Sequence, residues 1–155
     1  MSCTEFGNTA GSKKRNRPDF AFWVRIITIL TYVRQFCQNW LKASIEYENE
    51  VFQHLGSVVT NEGYSDWATT EIDAGIQSMW YRFSRREDDF CLECSEDGVH
   101  FKQMRICHMA KASGEIQFGI YACSPEDSSF KATFTHMEIT PCQWLAHDGQ
   151  APDET

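Results

Sequence analysis

Residues 40–48 alternate in polarity, and that alternation is the strongest constraint on what this chain can become. Leu41, Ala43, Ile45 and Tyr47 fall in one set, and Lys42, Ser44, Glu46 and Glu48 fall in the other. Successive side chains of a strand point to opposite faces, so this run is a β-strand buried on one side. The 3.6-residue spacing of an amphipathic helix is absent. Residues 52–60 follow with Leu55, Val58 and Val59, β-branched and apolar content that suits a second strand. Asn61, Glu62 and Gly63 supply turn chemistry, because Asn and Gly tolerate positive φ.

The pattern continues to the C-terminal third. Residues 79–85, 90–95, 99–109, 116–123 and 130–139 are strand-like, separated by turn signals at 86–89, 96–98, 111–114 and 124–129. In 116–123 the apolar residues Ile116, Phe118, Ile120 and Ala122 share one face. Short strands at regular spacing with turns between them predict an all-β sandwich. Residues 64–67 (Tyr-Ser-Asp-Trp) and 68–78 are expected as loops.

Three further runs carry a resemblance. Trp-Leu-Lys-Ala-Ser-Ile-Glu-Tyr (40–47), Gly-Ser-Val-Val-Thr-Asn (56–61) and Tyr-Ser-Asp-Trp (64–67) resemble the regulation-of-enolase family. Trp-Tyr-Arg-Phe-Ser-Arg (80–85), Ser-Glu-Asp-Gly (95–98), Met-Arg-Ile (104–106) and Gly-Ile-Tyr-Ala-Cys-Ser-Pro (119–125) match it in the same order. The resemblance covers residues 39–139. It implies a single concanavalin A-like jelly-roll β-sandwich and carbohydrate binding, in a family of unknown molecular function with no established catalytic set. It stops upstream of residue 38, where Asp19, Phe20, Phe22 and Trp23 are a weak echo of the family's opening segment. The expected layout is therefore an N-terminal extension over 1–38, helical or disordered, whose apolar run 20–33 packs on the sandwich as a helix or strand. A β-sandwich lacking its first strands follows over 39–143, and then a polar tail over 144–155.

Charge and cysteines bound the partners. The net charge of −8 is uneven. Residues 1–38 carry Lys13, Lys14, Arg15, Arg17, Arg25 and Arg34 against Glu5 and Asp19, so the remainder is strongly acidic. A phosphate backbone needs a basic face, which argues against nucleic acid as a partner. The apolar run 20–33 is shorter than the roughly 20 residues of a membrane span and contains Arg25, so a membrane anchor is disfavoured. Seven cysteines, an odd number without small-scaffold spacing, favour a reducing, cytoplasmic compartment. Cys91 and Cys94 have the spacing of a zinc half-site. An offset of three on a strand sends them to opposite faces, so no metal is expected. No motif calls for a cofactor.

Candidate ligand-binding residues come from alternation. Lys42 and Glu46 share a face of one strand, Arg82 lies with Trp80 and Ser84, Arg105 lies with Gln103, and Tyr121 is opposite the Ile116/Phe118/Ile120 face. Aromatic rings stack on sugar C–H faces and charged groups take paired hydroxyls. The expectation is a groove lined by Lys42, Glu46, Arg82, Arg105 and Tyr121, closed at one end by Asp66 and Trp67. The competing explanation is a solvated face laced with cross-strand ion pairs. Glycosidase chemistry needs two carboxylates roughly 5–10 Å apart. Glu71-Ile-Asp73 is similar to the start of a glucanase motif on this fold, but Gly75 and Ile76 stand where a further acid is required. No catalytic residue is assigned. Three functions remain open: a non-catalytic module for a carbohydrate or small ligand, linked to carbohydrate metabolism; a hydrolase acting on glycans; and a protein-interaction domain.

Overall fold

The computed structural model describes residues 4–7, 20–27, 31–35, 39–110, 112, 116–122 and 131–145. Among them are eleven strands and no helix. They are β1 (Thr4–Gly7), β2 (Phe20–Ile27), β3 (Thr31–Gln35), β4 (Asn39–Tyr47), β5 (Phe52–Asn61) and β6 (Tyr64–Asp73). The remainder are β7 (Met79–Arg86), β8 (Asp89–Ser95), β9 (Lys102–His108), β10 (Gln117–Ala122) and β11 (Thr133–Pro141). One sheet has the order β1-β10-β3-β4-β5-β6 and the other β11-β2-β7-β8-β9. All pairings are antiparallel, and together the sheets form a β-sandwich.

The core is the product of alternation on both sheets. Leu41, Ala43, Ile45 and Val59 from the six-stranded sheet meet Met79, Tyr81, Phe83, Phe90 and Leu92 from the five-stranded one. Burying each such large side chain contributes about 1.5–3 kcal/mol, which is why one face of each strand carries no charge at these positions. Met109 and Ala112, both fully buried, close one end. Polar ties seal that end. Asn39 Nδ2 donates to the Ala110 carbonyl at 2.7 Å and the Glu62 amide donates to Asn39 Oδ1 at 2.6 Å. Arg85, 6% exposed, donates to the carbonyls of Glu87 and Ala112.

The β5–β6 connection is a two-residue hairpin with Glu62 at φ 52° and Gly63 at φ 88°. Positive φ at both central residues is the turn whose twist matches the flanking strands.

Four expectations need correction. Residues 20–27 and 31–35 are not a separate helical or disordered extension. β2 lies between β11 and β7, and β3 lies between β10 and β4, so both are interior strands of the two sheets. The run Phe20-Ala-Phe-Trp-Val-Arg-Ile-Ile27 is rich in the β-branched and aromatic residues that strands favour. Residues 64–73 form strand β6 instead of loops. The strand expected over 99–109 is shorter, Lys102–His108. Trp144 is no part of a polar tail: it is 9% exposed, its carbonyl accepts from Arg86 Nη2 at 2.7 Å, and its ring lies 5.4 Å from the Arg86 guanidinium carbon. The basic cluster at 13–17, the loop at 124–129 and the polar stretch at 146–155 lie outside the described residues.

Candidate functional site

Residues paired across an antiparallel sheet project to the same face. In the six-stranded sheet Lys42 pairs with Val58 and Val58 with Trp67. The next rows along the same face are Ser44–Gly56–Thr69 and Glu46–His54–Glu71, and on the other side Trp40–Thr60–Ser65. Leu41, Ala43 and Ile45 occupy the opposite, core face, so this face is the exterior. Tyr121 belongs to the same alternate set, because Gly119 pairs with Tyr32 and Tyr32 with Lys42.

This exterior is more ordered than a solvated surface. Glu46 Oε1 accepts from Lys42 Nζ and from Ser44 Oγ, both at 2.9 Å. Burial raises the Glu46 carboxyl, but the Lys42 hydrogen bond and charge, the Ser44 hydroxyl and the His54 charge together outweigh it. The net shift is downward, and Glu46 is a carboxylate at neutral pH. The Lys42 side chain is 17% exposed and that of Glu46 37%, so the pair is worth about 0.5–1 kcal/mol after solvent screening. Ser44, Val58 and Thr60 are buried although they point away from the core. Thr60 Oγ1 and Ser65 Oγ are hydrogen-bonded at 2.8 Å. His54 stacks edge-on against Phe52, and its Nδ1 is 3.8 Å from Glu48 Oε2.

Trp67 sits at the rim, 64% exposed, on the edge strand. Its Nε1 would lie 3.6 Å from a Cβ placed on Gly56, as would Ser44 Oγ and Thr69 Cγ2. Gly56 is thus a floor without a side chain, bordered by an indole, two hydroxyl-bearing residues and the Lys42–Glu46 pair.

The remaining expected groove residues are elsewhere. Arg82 binds Glu93 through two bonds, Nε–Oε2 at 2.5 Å and Nη2–Oε1 at 2.6 Å, and lies 4.3 Å from the Phe101 ring centre. Its neighbours on β7, Tyr81 and Phe83, are core residues, so Arg82 is on the exterior of the five-stranded sheet. That is the opposite exterior from Lys42. Arg105 Nη2 meets Asp66 Oδ2 at 2.7 Å and Nη1 donates to the Asp66 carbonyl at 3.2 Å. Asp66 pairs with Val59 of the core set, so this ion pair ties the edges of the two sheets together beneath Trp67. Alternation assigns a side chain to one side of its strand; it does not say which of two sheets the strand joins. The single groove therefore divides. Lys42, Glu46, Trp67 and Tyr121 share one exterior, Asp66 and Arg105 close an edge, and Arg82 lies behind.

Ser44, His54, Gly56, Thr60, Ser65 and Thr69 were missed by sequence reasoning. The signal existed: a hairpin centred on Glu62 and Gly63 sets Thr60 against Ser65, Val58 against Trp67 and Gly56 against Thr69. Cys91 pairs with Ser84 and Cys94 with the core residue Tyr81, on opposite faces of β8. Burial, followed by the Glu93 charge, pushes the Cys91 thiol up to about 12, with Arg82 opposing. Among the described residues no His, Cys, Asp or Glu group is arranged to hold a metal ion, and no helix is long and apolar enough to cross a membrane.

A family model described as "Protein of unknown function (DUF1349)" matches residues 28–142. No curated protein matches the chain. Among solved structures, a functionally unknown protein from Saccharomyces cerevisiae is similar to it with a TM-score of 0.70 and 25% identity, over 90% of this chain and 72% of that one.

Proposed function

We propose that this chain, which belongs to the DUF1349 family, is a non-catalytic carbohydrate-binding module that uses the exterior of its six-stranded sheet. The observation that supports this most is the exposed Trp67 ring leaning toward Gly56 on the same face as Lys42, Ser44 and Glu46. An indole offers the flat apolar surface that a pyranose C–H face stacks on. A lysine and a carboxylate already joined to each other offer a donor and an acceptor for adjacent hydroxyls. Ser65, Thr69 and Tyr121 extend the polar surface along the sheet.

Hydrolysis is the second reading, and one observation favours it. Glu46 and Glu71 flank His54 in one row, two strand spacings or about 10 Å apart. A general acid must hold its proton near neutral pH, whereas Glu46 is held ionised by Lys42 and Ser44. The binding reading is therefore preferred. We place the activity in the cytoplasm, on the support of the unbridged thiols of Cys91, Cys94 and Cys107. A regulatory link to carbohydrate metabolism, implied by the resemblance to the regulation-of-enolase family, would act through the bound sugar.

The test is calorimetry against a panel of neutral oligosaccharides. Trp67→Ala is expected to weaken binding about tenfold or more, and Lys42→Ala by a similar factor. Binding that survives both substitutions contradicts the proposal. Release of reducing ends that disappears in Glu46→Gln would favour hydrolysis instead.

A further inference from the structure

We infer that the free edge of β6 is a docking strand for an extended, basic peptide segment of another protein. A sheet has two edges, so this sandwich has four. An exposed edge strand templates pairing with other chains, and proteins guard such edges with short strands, bulges, proline or cationic side chains. Three of the four edges here are guarded. β1 is four residues long. β11 is interrupted by a register shift between Thr135 and Glu138 and ends on Pro141. β9 is offset by a shift opposite Leu92 and Glu93, and carries Lys102 and Arg105.

β6 has no bulge, no proline and no cationic side chain, and its one inward-side charge, Asp66, is closed by Arg105. It is ten residues long, contains no Pro, Lys, Arg or Gly, and runs in unbroken register with β5 from Tyr64 to Asp73. Among the described residues it pairs on one side only, with β5. Every residue except Ile72 is exposed, including Tyr64 at 85% and Trp67 at 64%. The strand therefore presents its outward amides and carbonyls together with both flanking rows of side chains.

Charge selects the occupant. Asp66, Glu71 and Asp73 are the only charged residues on the strand. Asp66 is paired with Arg105. Among the described residues, Glu71 and Asp73 meet no cation. They belong to the same alternate set, so an added strand with cationic residues at every second position would set two of them against these carboxylates. A second copy of this chain would bring another acidic strand to an acidic strand, which is unfavourable. Main-chain bonds would supply affinity and the acid row selectivity, the mode of β-strand addition. This inference rests on the backbone edge of β6, whereas the saccharide reading uses side chains on the outer face of the same strand.

The test is hydrogen exchange of the whole protein with a capped Lys-Val-Lys-Val-Lys-Val peptide, and with the Glu-for-Lys counterpart. The basic peptide is expected to slow exchange within residues 64–73, to lose this effect at high salt, and to bind about tenfold more weakly to a Thr70→Lys/Glu71→Lys variant. Circular dichroism and the urea midpoint confirm that this variant folds; should it not, the Glu71→Gln variant carries the same comparison. Equal protection by both peptides, protection by neither, or protection of β6 that grows with protein concentration alone would overturn the inference. The last result would identify a second copy as the occupant.

Discussion

At the scale of single residues, the loop between β8 and β9 shows how one position can be constrained twice. Gly98 has φ +76°, and a Cβ there would stand 2.6 Å from Trp80 Cε2 and 2.8 Å from its Nε1. Gly98→Ala is therefore expected to cost about 2–4 kcal/mol, measured as a shift of the urea midpoint at constant slope. A loss within the error of that measurement would contradict the close approach of Trp80. Beside it, Asp97 Oδ1 accepts from the amides of Val99 and His100 and from Ser95 Oγ, while Oδ2 meets His100 Nδ1 at 2.7 Å. The His100 side chain foremost, then the His100 and Val99 amides and the Ser95 hydroxyl, hold this carboxyl far below the usual carboxylate range. A carboxyl with a depressed folded-state value stabilises the fold above its unfolded value and loses that contribution as pH falls through the folded one. Glu46 acts in the same sense. Stability should thus decline from about pH 5 downward, and Asp97→Asn should flatten that acid limb when urea midpoints are compared between about pH 7 and pH 2. An unchanged slope would contradict the hydrogen-bonded loop. The Ser-Glu-Asp-Gly run marked this turn from the sequence alone. What it could not show is that the packing partner of its glycine is Trp80, fifteen or more residues back in the chain and on a neighbouring strand.

At the scale of strands, legibility follows how each strand is buried. β4, β7 and β10 set their apolar core residues at every second position (Leu41, Ala43, Ile45; Met79, Tyr81, Phe83; Phe118, Ile120), so the sequence reveals both their existence and their inward rows. β2 lies within a sheet and β6 is exposed on almost every residue. The first is apolar at every position but Arg25, and the second mixes polar and apolar residues on both sides, so neither alternates cleanly, and one suggests an anchor while the other suggests a loop. The same limit explains Arg82. Its side of β7 was legible, but β7 joins β2 and β8, away from β4. Arg82 and Glu93 are each less than a fifth exposed, so Arg82→Ala leaves a mostly buried carboxylate without its partner. That should destabilise the protein by about 1–3 kcal/mol in urea unfolding and leave saccharide affinity unchanged in calorimetry. Loss of affinity in a variant whose fold is intact would return Arg82 to the binding site.

At the scale of the whole molecule, two exteriors with different chemistry result from one sandwich. The five-stranded sheet spends its outer charges on the closed Arg82–Glu93 pair under Phe101. The six-stranded sheet keeps Lys42 and Glu46 joined but partly accessible, beside an indole that the core does not use. That Lys42, Glu46 and Tyr121 share a face was legible, because they follow alternation within one sheet. Trp67 joined them through the register of a hairpin, and the two arginines did not, because sheet membership is decided by long-range pairing. The most direct measurement is amide and indole NMR of the whole chain during titration with the tightest-binding neutral oligosaccharide. Shifts are expected at the Trp67 indole and at the Ser44, Gly56 and Thr69 amides, with Arg82, Glu93 and Phe101 unmoved. Shifts confined to β7 and β8, or none at Trp67 while the sugar binds, would contradict the placement of the site.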